Sequence, residues 1–278
     1  MGDSPNLALF QSFLPAQGQE LAHVWKFSWE FGGRRPLHFH AEPELNLVVS
    51  GNATFRIGET RVEAHRGDLL AFPPGQDHEL LETSPDVYLF AIGIDPLLSA
   101  DVLRHNRGCA AMPVHLRLLS HEFESLVTRC EAIVDRDGVD ALAAELWEHV
   151  HWLRQRRVGD SNNPMHVYVR RALSVLAEHP DWDCEQVARA ARTRASELSR
   201  YFHRDLGMTF VKYRTRLRLL QFIRLMDSEH GNLMSTAITA GFGSYSQCHR
   251  VFQAELGCFP RQFFQSSFRA AMQTVYAR

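Results

Sequence analysis

The sequence has no apolar run that approaches the ~20 residues of a membrane-spanning helix. Its first residues, MGDSPNLALFQSF, lack the basic segment and the sustained apolar segment of a secretory signal. The five cysteines form no Cys-x-x-Cys pair and are odd in number, which favours free thiols over a disulfide framework. We therefore expect a cytosolic protein, without membrane contact, in a reducing compartment. The thiols are those of Cys109, Cys130, Cys184, Cys248 and Cys258.

The charge of the 278-residue chain is unevenly distributed. Residues 1–163 hold 14 Lys and Arg against 23 Asp and Glu, a net charge of −9, whereas residues 164–278 hold 16 against 9, a net charge of +7. A chain of this length exceeds a typical domain of about 100 to 150 residues, so two domains are expected. The second half, whose positive charge is nearly all arginine, is the half expected to meet a polyanion.

The apolar pattern changes along the chain. Up to about residue 95 it has period two, in short runs such as LNLVV, ATFRIG and VYLFAIGI separated by turn residues, which predicts a β-sandwich or barrel over residues 1–115. The next segment, 116–157, has helical periodicity and predicts an antiparallel helical hairpin. An apolar stripe on its second helix either forms a dimer face or covers the sheet: Leu142, Leu146, Val150 and Leu153. A polar linker at 158–164 then precedes a helical domain over 165–278.

The helical half contains two segments that each predict a helix, a tight turn and a second helix. In CEQVARAARTRASELSRYFHRDLG the small Ala188 lets the two helices approach closely. LMSTAITAGFGSYSQCHRVFQAELG repeats the arrangement about fifty residues later, with Ala237 in the matching position. In both segments the second helix presents small polar residues and arginine, as reading a DNA major groove requires.

The segment FVKYRTRLRLLQFIRLM predicts a long spacer helix between the two units. One side of it is apolar: Tyr213, Leu217, Leu220 and Ile223. Three arginines, Arg214, Arg216 and Arg218, are expected to lie near the DNA backbone.

With its patterns LSRYFHRDLGMTFVKYRTRLRL and AITAGFGSYSQCHRVFQAELGCFPRQFF, residues 166–264 resemble the DNA-binding domain of the AraC/XylS family of bacterial transcription regulators. The resemblance implies that two recognition helices enter successive major grooves and that the protein associates with the nucleoid when bound. It places these residues toward the bases: Ser196, Ser199, Arg200, Tyr245, Ser246, His249 and Arg250. Arg200 and Arg250 are the first choices for bidentate contacts to guanine.

The first unit departs from the family pattern in its turn, where Arg192 replaces the usual glycine and Thr193 follows. A left-handed backbone at Arg192 would cost roughly 1 to 2 kcal/mol. In the second unit Cys248 stands where an aromatic residue is usual, which predicts looser packing there.

The first half contains a pattern with the spacing of metal ligands. In HFHAEPEL, two histidines one residue apart lie on one face of a strand and Glu44 follows, and a later block, GDLLAFPPGQDHELLE, supplies His78. Both blocks resemble the paired motifs of the cupin superfamily, a small β-barrel, and the resemblance implies that His38, His40, Glu44 and His78 converge. Three imidazoles and a carboxylate can bind Zn²⁺, Fe²⁺, Mn²⁺ or Ni²⁺.

Three interpretations of these four residues stay open: one divalent metal ion, an organic effector in the same pocket, or a structural role in the barrel interior. An effector pocket would also include Trp25, Phe27 and Trp29. The fold class expected is α+β with two domains, a cupin barrel with a helical hairpin followed by an all-α domain with two helix-turn-helix motifs.

The function expected is a non-enzymatic, sequence-specific transcriptional regulator that senses a small molecule or metal ion. Its expected partners are promoter DNA, an effector, a second copy of the chain and RNA polymerase. The alternative is a cupin metalloenzyme, a dioxygenase or isomerase, with an appended helical domain. The basic second half counts against that alternative, because an enzyme would not need it.

Overall fold

A computed structural model describes residues 9–11, 22–29, 33–58, 60–95, 114–134, 142, 145–149, 165–229 and 231–265. Cys109 and the linker at 158–164 lie outside these residues. The described part joins a β-rich first half to a helical second half, so the expected fold class is confirmed.

The first half consists of two five-stranded sheets. One has the order β1-β3-β8-β5-β6 and the other β10-β7-β4-β9-β2. The strands are β1 (Leu9–Phe10), β2 (Ala22–Ser28), β3 (Arg35–Phe39), β4 (Glu44–Ser50), β5 (Asn52–Ile57), β6 (Thr60–His65), β7 (Asp68–Phe72), β8 (His78–Thr83), β9 (Tyr88–Ile94) and β10 (Val114–Arg117). An apolar core that includes Phe55, Phe72 and Leu89 fills the space between the sheets.

The outer face of the second sheet is covered by helix α1 (Ser120–Ile133) and by the helical residues 145–149. Leu146 is fully buried in this layer beside Phe123 and Leu126. Leu146 therefore packs against the sheet of its own chain and does not lie on a free dimer face. Of the rest of the predicted stripe, Leu142 is 42% exposed, and Val150 and Leu153 lie outside the described residues.

The sheet extends beyond residue 115, where the sequence pattern predicted a change to helix. Strand β10 pairs antiparallel with β7, from Val114 opposite Ala71 to Arg117 opposite Asp68. Leu116 and Leu118 are buried and their neighbours are exposed or half-buried, as in a strand with one face toward the core. The alternating pattern here contains only these two apolar positions. So short a run is indistinguishable from the start of a helix by periodicity alone.

The second half contains seven helices within residues 165–229 and 231–265: α2 (Val167–Glu178), α3 (Cys184–Ala190), α4 (Ala195–Leu206), α5 (Phe210–Glu229), α6 (Leu233–Thr239), α7 (Tyr245–Leu256) and α8 (Pro260–Phe263). Helices α3 and α4 form one helix-turn-helix unit, and α6 and α7 form the other, with α5 between them. In the described part of the chain, no helix is long and apolar enough to cross a membrane.

The turns of the two units have the same backbone hydrogen bonds. In the first, Arg192 N–H donates to the Arg189 carbonyl, and in the second Gly241 N–H donates to the Ile238 carbonyl. Arg192 has a φ of 62° and Gly241 a φ of 87°. Arg192 therefore adopts the left-handed conformation that the family pattern assigns to glycine, with the strain expected from sequence.

Candidate functional site

The four predicted ligand residues lie together at one end of the first half. His38 is in β3 and pairs in register with His78, the first residue of β8, while Glu44 begins β4 and His40 follows β3 directly. All four are buried, with exposed fractions of 1 to 7%. One ligand atom from each can be chosen so that all four atoms lie within 4.8 Å of one another.

Glu44 is at the centre of the cluster. Its Oε2 lies 2.7 Å from Nε2 of His40 and 3.0 Å from Nε2 of His78. Its Oε1 accepts a hydrogen bond of 2.7 Å from the side-chain amide of Asn46. The carboxylate is thus held by three neighbours, and Asn46 orients it from behind.

The three imidazoles are oriented by the main chain. Nδ1 of His38 lies 2.7 Å from the Pro36 carbonyl, and His40 and His78 make the same kind of contact with the carbonyls of Glu42 and Gln76, at 2.7 and 3.0 Å. A carbonyl oxygen only accepts hydrogen bonds, so each Nδ1 carries the proton. Each Nε2 is therefore the ring nitrogen left to bind a metal, and in His40 and His78 it points at Glu44.

The charges of the cluster follow from this geometry. Burial disfavours a charged His40, but hydrogen bonding and attraction to Glu44 outweigh it and raise the pKa of His40. Burial would raise the pKa of Glu44, yet electrostatic attraction to His78 and the hydrogen bonds with both imidazoles hold it well below its usual range. Burial, then repulsion from His78 and His40, lowers the pKa of His38. Glu44 is therefore an anion, and His38 stays neutral.

This donor set fits a divalent metal ion. A neutral imidazole whose Nδ1 is protonated has only a lone pair at Nε2, and Glu44 Oε2 likewise offers only lone pairs. In the neutral tautomers, Nε2 of His40 and Nε2 of His78 would therefore face Glu44 Oε2 lone pair to lone pair. Such short contacts require either a further proton or a cation between the nitrogen and the oxygen. The nitrogen and oxygen ligands match those of zinc and other transition metals, and the carbonyl contacts supply the usual outer support of metal-bound histidine.

Two of the three aromatic residues predicted for an effector pocket are exposed to solvent. Trp25 and Trp29 are 45% and 52% exposed, whereas Phe27 is buried in the core between the sheets. Strand β2 is an edge strand, so part of its aromatic face is open to solvent. The ring of Phe72 contacts the cluster, since it stacks on His78 with centroids 4.5 Å apart.

Gln76 was not predicted from sequence. It is 1% exposed, and neither atom of its side-chain amide makes a hydrogen bond within the described residues. Buried amides are nearly always paired, so this one is a candidate contact for a polar ligand. The sequence feature that could have indicated Gln76 is its position two residues before His78. Asn46 could have been recognised as a polar residue inside the apolar run LNLVV.

The second helix of each helix-turn-helix unit presents the residues predicted to face DNA. Ser196, Ser199 and Arg200 of α4 are exposed. On α7, Ser246 and Arg250 are exposed, and Tyr245 and His249 are half-buried. The His249 ring stacks on Phe259, 4.9 Å between centroids, which fixes its orientation beside Arg250.

The spacer helix corrects one expectation. Arg214 and Arg218 are half-buried, and each donates a hydrogen bond to a backbone carbonyl, those of Trp182 and Asp181. Arg216 is only 2% exposed and contacts the first half of the chain. It therefore lies away from any DNA phosphate, because it occupies the apolar side of α5, between Tyr213 and Leu220.

Both halves match known domain families. Residues 187–266 match a helix-turn-helix domain model, and residues 25–92 match a cupin domain model. The first match runs from α3 past α8 and the second from β2 to β9.

Similar full-length proteins include the melibiose operon regulatory protein of Escherichia coli strain K12, 23% identical over 248 residues, 81% of this chain and 82% of the relative. The uncharacterized HTH-type transcriptional regulator YdeC of Bacillus subtilis strain 168 is 21% identical over 260 residues, 83% of this chain and 86% of the relative. The crystal structure of ToxT from Vibrio cholerae O395 aligns over 87% of this chain and 95% of its own, with 13% identity and a TM-score of 0.47.

Proposed function

The chain belongs to the AraC/XylS family of transcriptional regulators, and on that premise we propose that its cupin half is a sensor whose ligand occupies the cluster of His38, His40, Glu44 and His78. The helical half binds DNA. The curated relatives are named as regulators, so the cupin metalloenzyme is not favoured and the chain is not an enzyme.

We infer that the base contacts come from α4 and α7. The support is the exposure of Ser196, Ser199 and Arg200 on one helix and of Ser246 and Arg250 on the other, beside the half-buried Tyr245 and His249. A guanidinium that pairs bidentately with guanine contributes roughly 1 to 3 kcal/mol of discrimination. Arg200 and Arg250 are the residues proposed for this role.

Fluorescence anisotropy on duplexes from the region upstream of the gene and its neighbours tests DNA recognition. Arg200→Ala and Arg250→Ala should each weaken specific binding about ten-fold or more, which corresponds to at least ~1.4 kcal/mol. Arg61→Ala removes another exposed arginine, from the cupin half, and should leave the affinity unchanged. The proposal fails if the wild-type protein binds none of these duplexes, or if both recognition-helix variants bind as tightly as wild type.

The proposed ligand of the cluster is a divalent metal ion, alone or together with a small organic effector. One observation carries this proposal: three imidazoles fixed with Nε2 as the remaining ligand atom surround a buried carboxylate. His38, His40, Glu44 and His78 would bind the metal, which would supply a Lewis-acidic centre for an effector oxygen. Gln76 would donate to or accept from that effector, since its amide has no other partner in the described part of the chain.

Elemental analysis of the purified protein tests the metal. About one equivalent of metal per chain is expected, falling to a small fraction in His78→Ala and in Glu44→Gln. His65→Ala removes an exposed histidine and should keep the metal. Metal retained by both cluster variants would show that it binds elsewhere.

We further propose that the protein acts as a homodimer in the bacterial cytoplasm, on nucleoid DNA, and contacts RNA polymerase. The proposed division is a sensor over 1–115, whose last strand runs on to Arg117, then a hairpin within 116–157, a linker over 158–164 and a DNA-binding domain over 165–278. Sedimentation equilibrium tests the dimer. A monomer at micromolar concentration, both free and on DNA, would contradict it.

A further inference from the structure

We propose that Arg216 couples the cupin cluster to the second recognition helix, so that occupancy of the cluster is transmitted directly across the contact between the two halves. This inference rests on the proposed sensing function. The signal would not need to pass along the hairpin and linker, because Arg216 and Asp77 are 139 residues apart in the sequence and touch directly.

The Arg216 guanidinium contacts both halves at once. Its Nη1 donates to the Gly75 carbonyl, at 3.0 Å, and to the Asp77 carboxylate in the cupin half. Its Nε and Nη2 donate to Oε2 of Glu255 on α7, at 3.0 and 2.7 Å. Every one of its nitrogen atoms is therefore used in a hydrogen bond, in a site where the side chain is 2% exposed.

Each cupin residue that Arg216 contacts adjoins the cluster. Gly75 N–H donates to the carbonyl of His40, at 2.9 Å, and Asp77 directly precedes His78. The guanidinium also lies over the ring of Phe39, 3.9 Å from its centroid, and Phe39 is the residue between His38 and His40. A shift of the cluster on ligand binding must therefore move the surroundings of Arg216.

Glu255 connects the other side of the contact to DNA recognition. It lies in the last turn of α7, the helix that carries Ser246, His249 and Arg250. A guanidinium between two carboxylates can keep either one as its counter-ion. If the ion pair between Arg216 and Asp77 loosens, the ion pair between Arg216 and Glu255 remains. The charge of Arg216 then stays paired within the helical half, while α7 loses its connection through Arg216 to the cupin half.

The surrounding contact is apolar and continuous. Phe10 and Phe39 of the cupin half belong to the same buried cluster as Leu220 and Phe263 of the helical half, with the rings of Phe10 and Phe263 5.7 Å apart. Burial raises the pKa of the Tyr213 phenol, so its hydroxyl stays protonated and donates to the Pro74 carbonyl, at 3.0 Å. Loop 73–77 is thus held by α5 at several points, and the position of one half depends on that of the other.

Asp77→Asn tests the coupling, because it weakens the charged contact with the cupin half and leaves the pair of Arg216 and Glu255 intact. Glu79→Gln is the matched control, since Glu79 lies two residues away but pairs with Arg56 inside the cupin half. The measurement is the affinity for an upstream duplex in Zn²⁺ and in EDTA. Wild type and Glu79→Gln should show a change of about five-fold or more between the two conditions. Asp77→Asn should reduce that change to near one, with its thermal unfolding still cooperative.

Two results overturn the coupling while leaving the proposed function intact. One is a wild-type-sized response to Zn²⁺ in Asp77→Asn, and the other is zinc bound to the wild type with no change in DNA affinity. If the wild type binds no zinc, the metal part of the proposed function fails, and hydrogen exchange of the metal-free protein decides the coupling. Asp77→Asn should then speed amide exchange across residues 245–256 relative to wild type and Glu79→Gln. Unchanged exchange would overturn the coupling.

Discussion

Gly58, in the turn between β5 and β6 of the cupin half, lies against Gly207, the residue that ends the first recognition helix. A Cβ at position 58 would come within 2.5 Å of the backbone nitrogen of Gly207. Arg216 in turn lies between Asp77 of the cupin half and Glu255 of the second recognition helix, so the cupin half is connected to both helix-turn-helix units.

Gly58→Ala should loosen the contact between the halves. Both Gly58 and Gly67 have a left-handed φ, 58° and 86°, but a Cβ at Gly67 meets nothing closer than 3.8 Å. Alanine at either site should cost about 1 kcal/mol of backbone strain. Only Gly58→Ala should also speed hydrogen exchange in residues 202–213, because backbone atoms must move apart. Equal exchange in the two variants would contradict this prediction.

Arg192→Gly should stabilise the helical half by about 1 kcal/mol, because glycine adopts the left-handed conformation without the steric cost of a Cβ. Urea unfolding followed by circular dichroism measures the change. Arg192→Ala is the control: it removes the same charge but keeps the Cβ, so it should show no such gain. An equal gain in the free energy of unfolding in both variants would show that the effect comes from removing the charge of Arg192 and not from relieving backbone strain.

Metal should stabilise the protein against unfolding. A ligand present at 100 times its dissociation constant raises the free energy of unfolding by about 3 kcal/mol. Adding Zn²⁺ to chelator-treated protein should thus raise the thermal midpoint of the wild type and of His65→Ala. The midpoint of His78→Ala should not move, and an equal rise in that variant would contradict binding at the cluster.

Asp68 should contribute to stability at neutral pH. Burial would raise its pKa, but hydrogen bonds from the His115 ring, the His65 N–H and the Arg117 guanidinium lower it to about 2. A depressed carboxyl pKa stabilises the fold above its unfolded value of about 4, and this contribution is lost as the pH falls toward 2.

Asp68→Asn should therefore lower the free energy of unfolding by about 1 to 2 kcal/mol at pH 7, after allowance for solvent screening. The difference from wild type should shrink between pH 5 and pH 2. Urea titrations across this range measure it, with Asp86→Asn, at an exposed position, as the control. A difference that stays constant with pH would show that the carboxyl charge is not its source.

The cluster was predicted because two blocks of the sequence resemble the paired cupin motifs, and that resemblance implied that His78 joins His38, His40 and Glu44. Alternation placed His38 and His40 on one face, and Arg192 was predicted to be strained because the family pattern has glycine at that point of the turn. Alternation does not show where a sheet ends, so the exposure of Trp25 and Trp29 on the edge strand β2 could not be predicted.

Contacts between the halves could not be predicted in this way. Arg216 and Asp77 are 139 residues apart, and no local period relates two positions that meet only after both halves have folded. One signal was present: Arg216 lies three residues after Tyr213 and four before Leu220, on the apolar face of α5. An arginine at such a position indicates a buried ionic partner, since a charge is rarely buried without one.

The core shared by Phe10, Phe39, Leu220 and Phe263 limits how the protein can be divided for study. If the chain were cut in the linker, these side chains would be exposed to water in both fragments. Each fragment would then carry an exposed apolar patch that favours self-association. Compound screens against a separate sensor fragment would then report on aggregation as much as on ligand affinity. Assays of this regulator should use the intact chain.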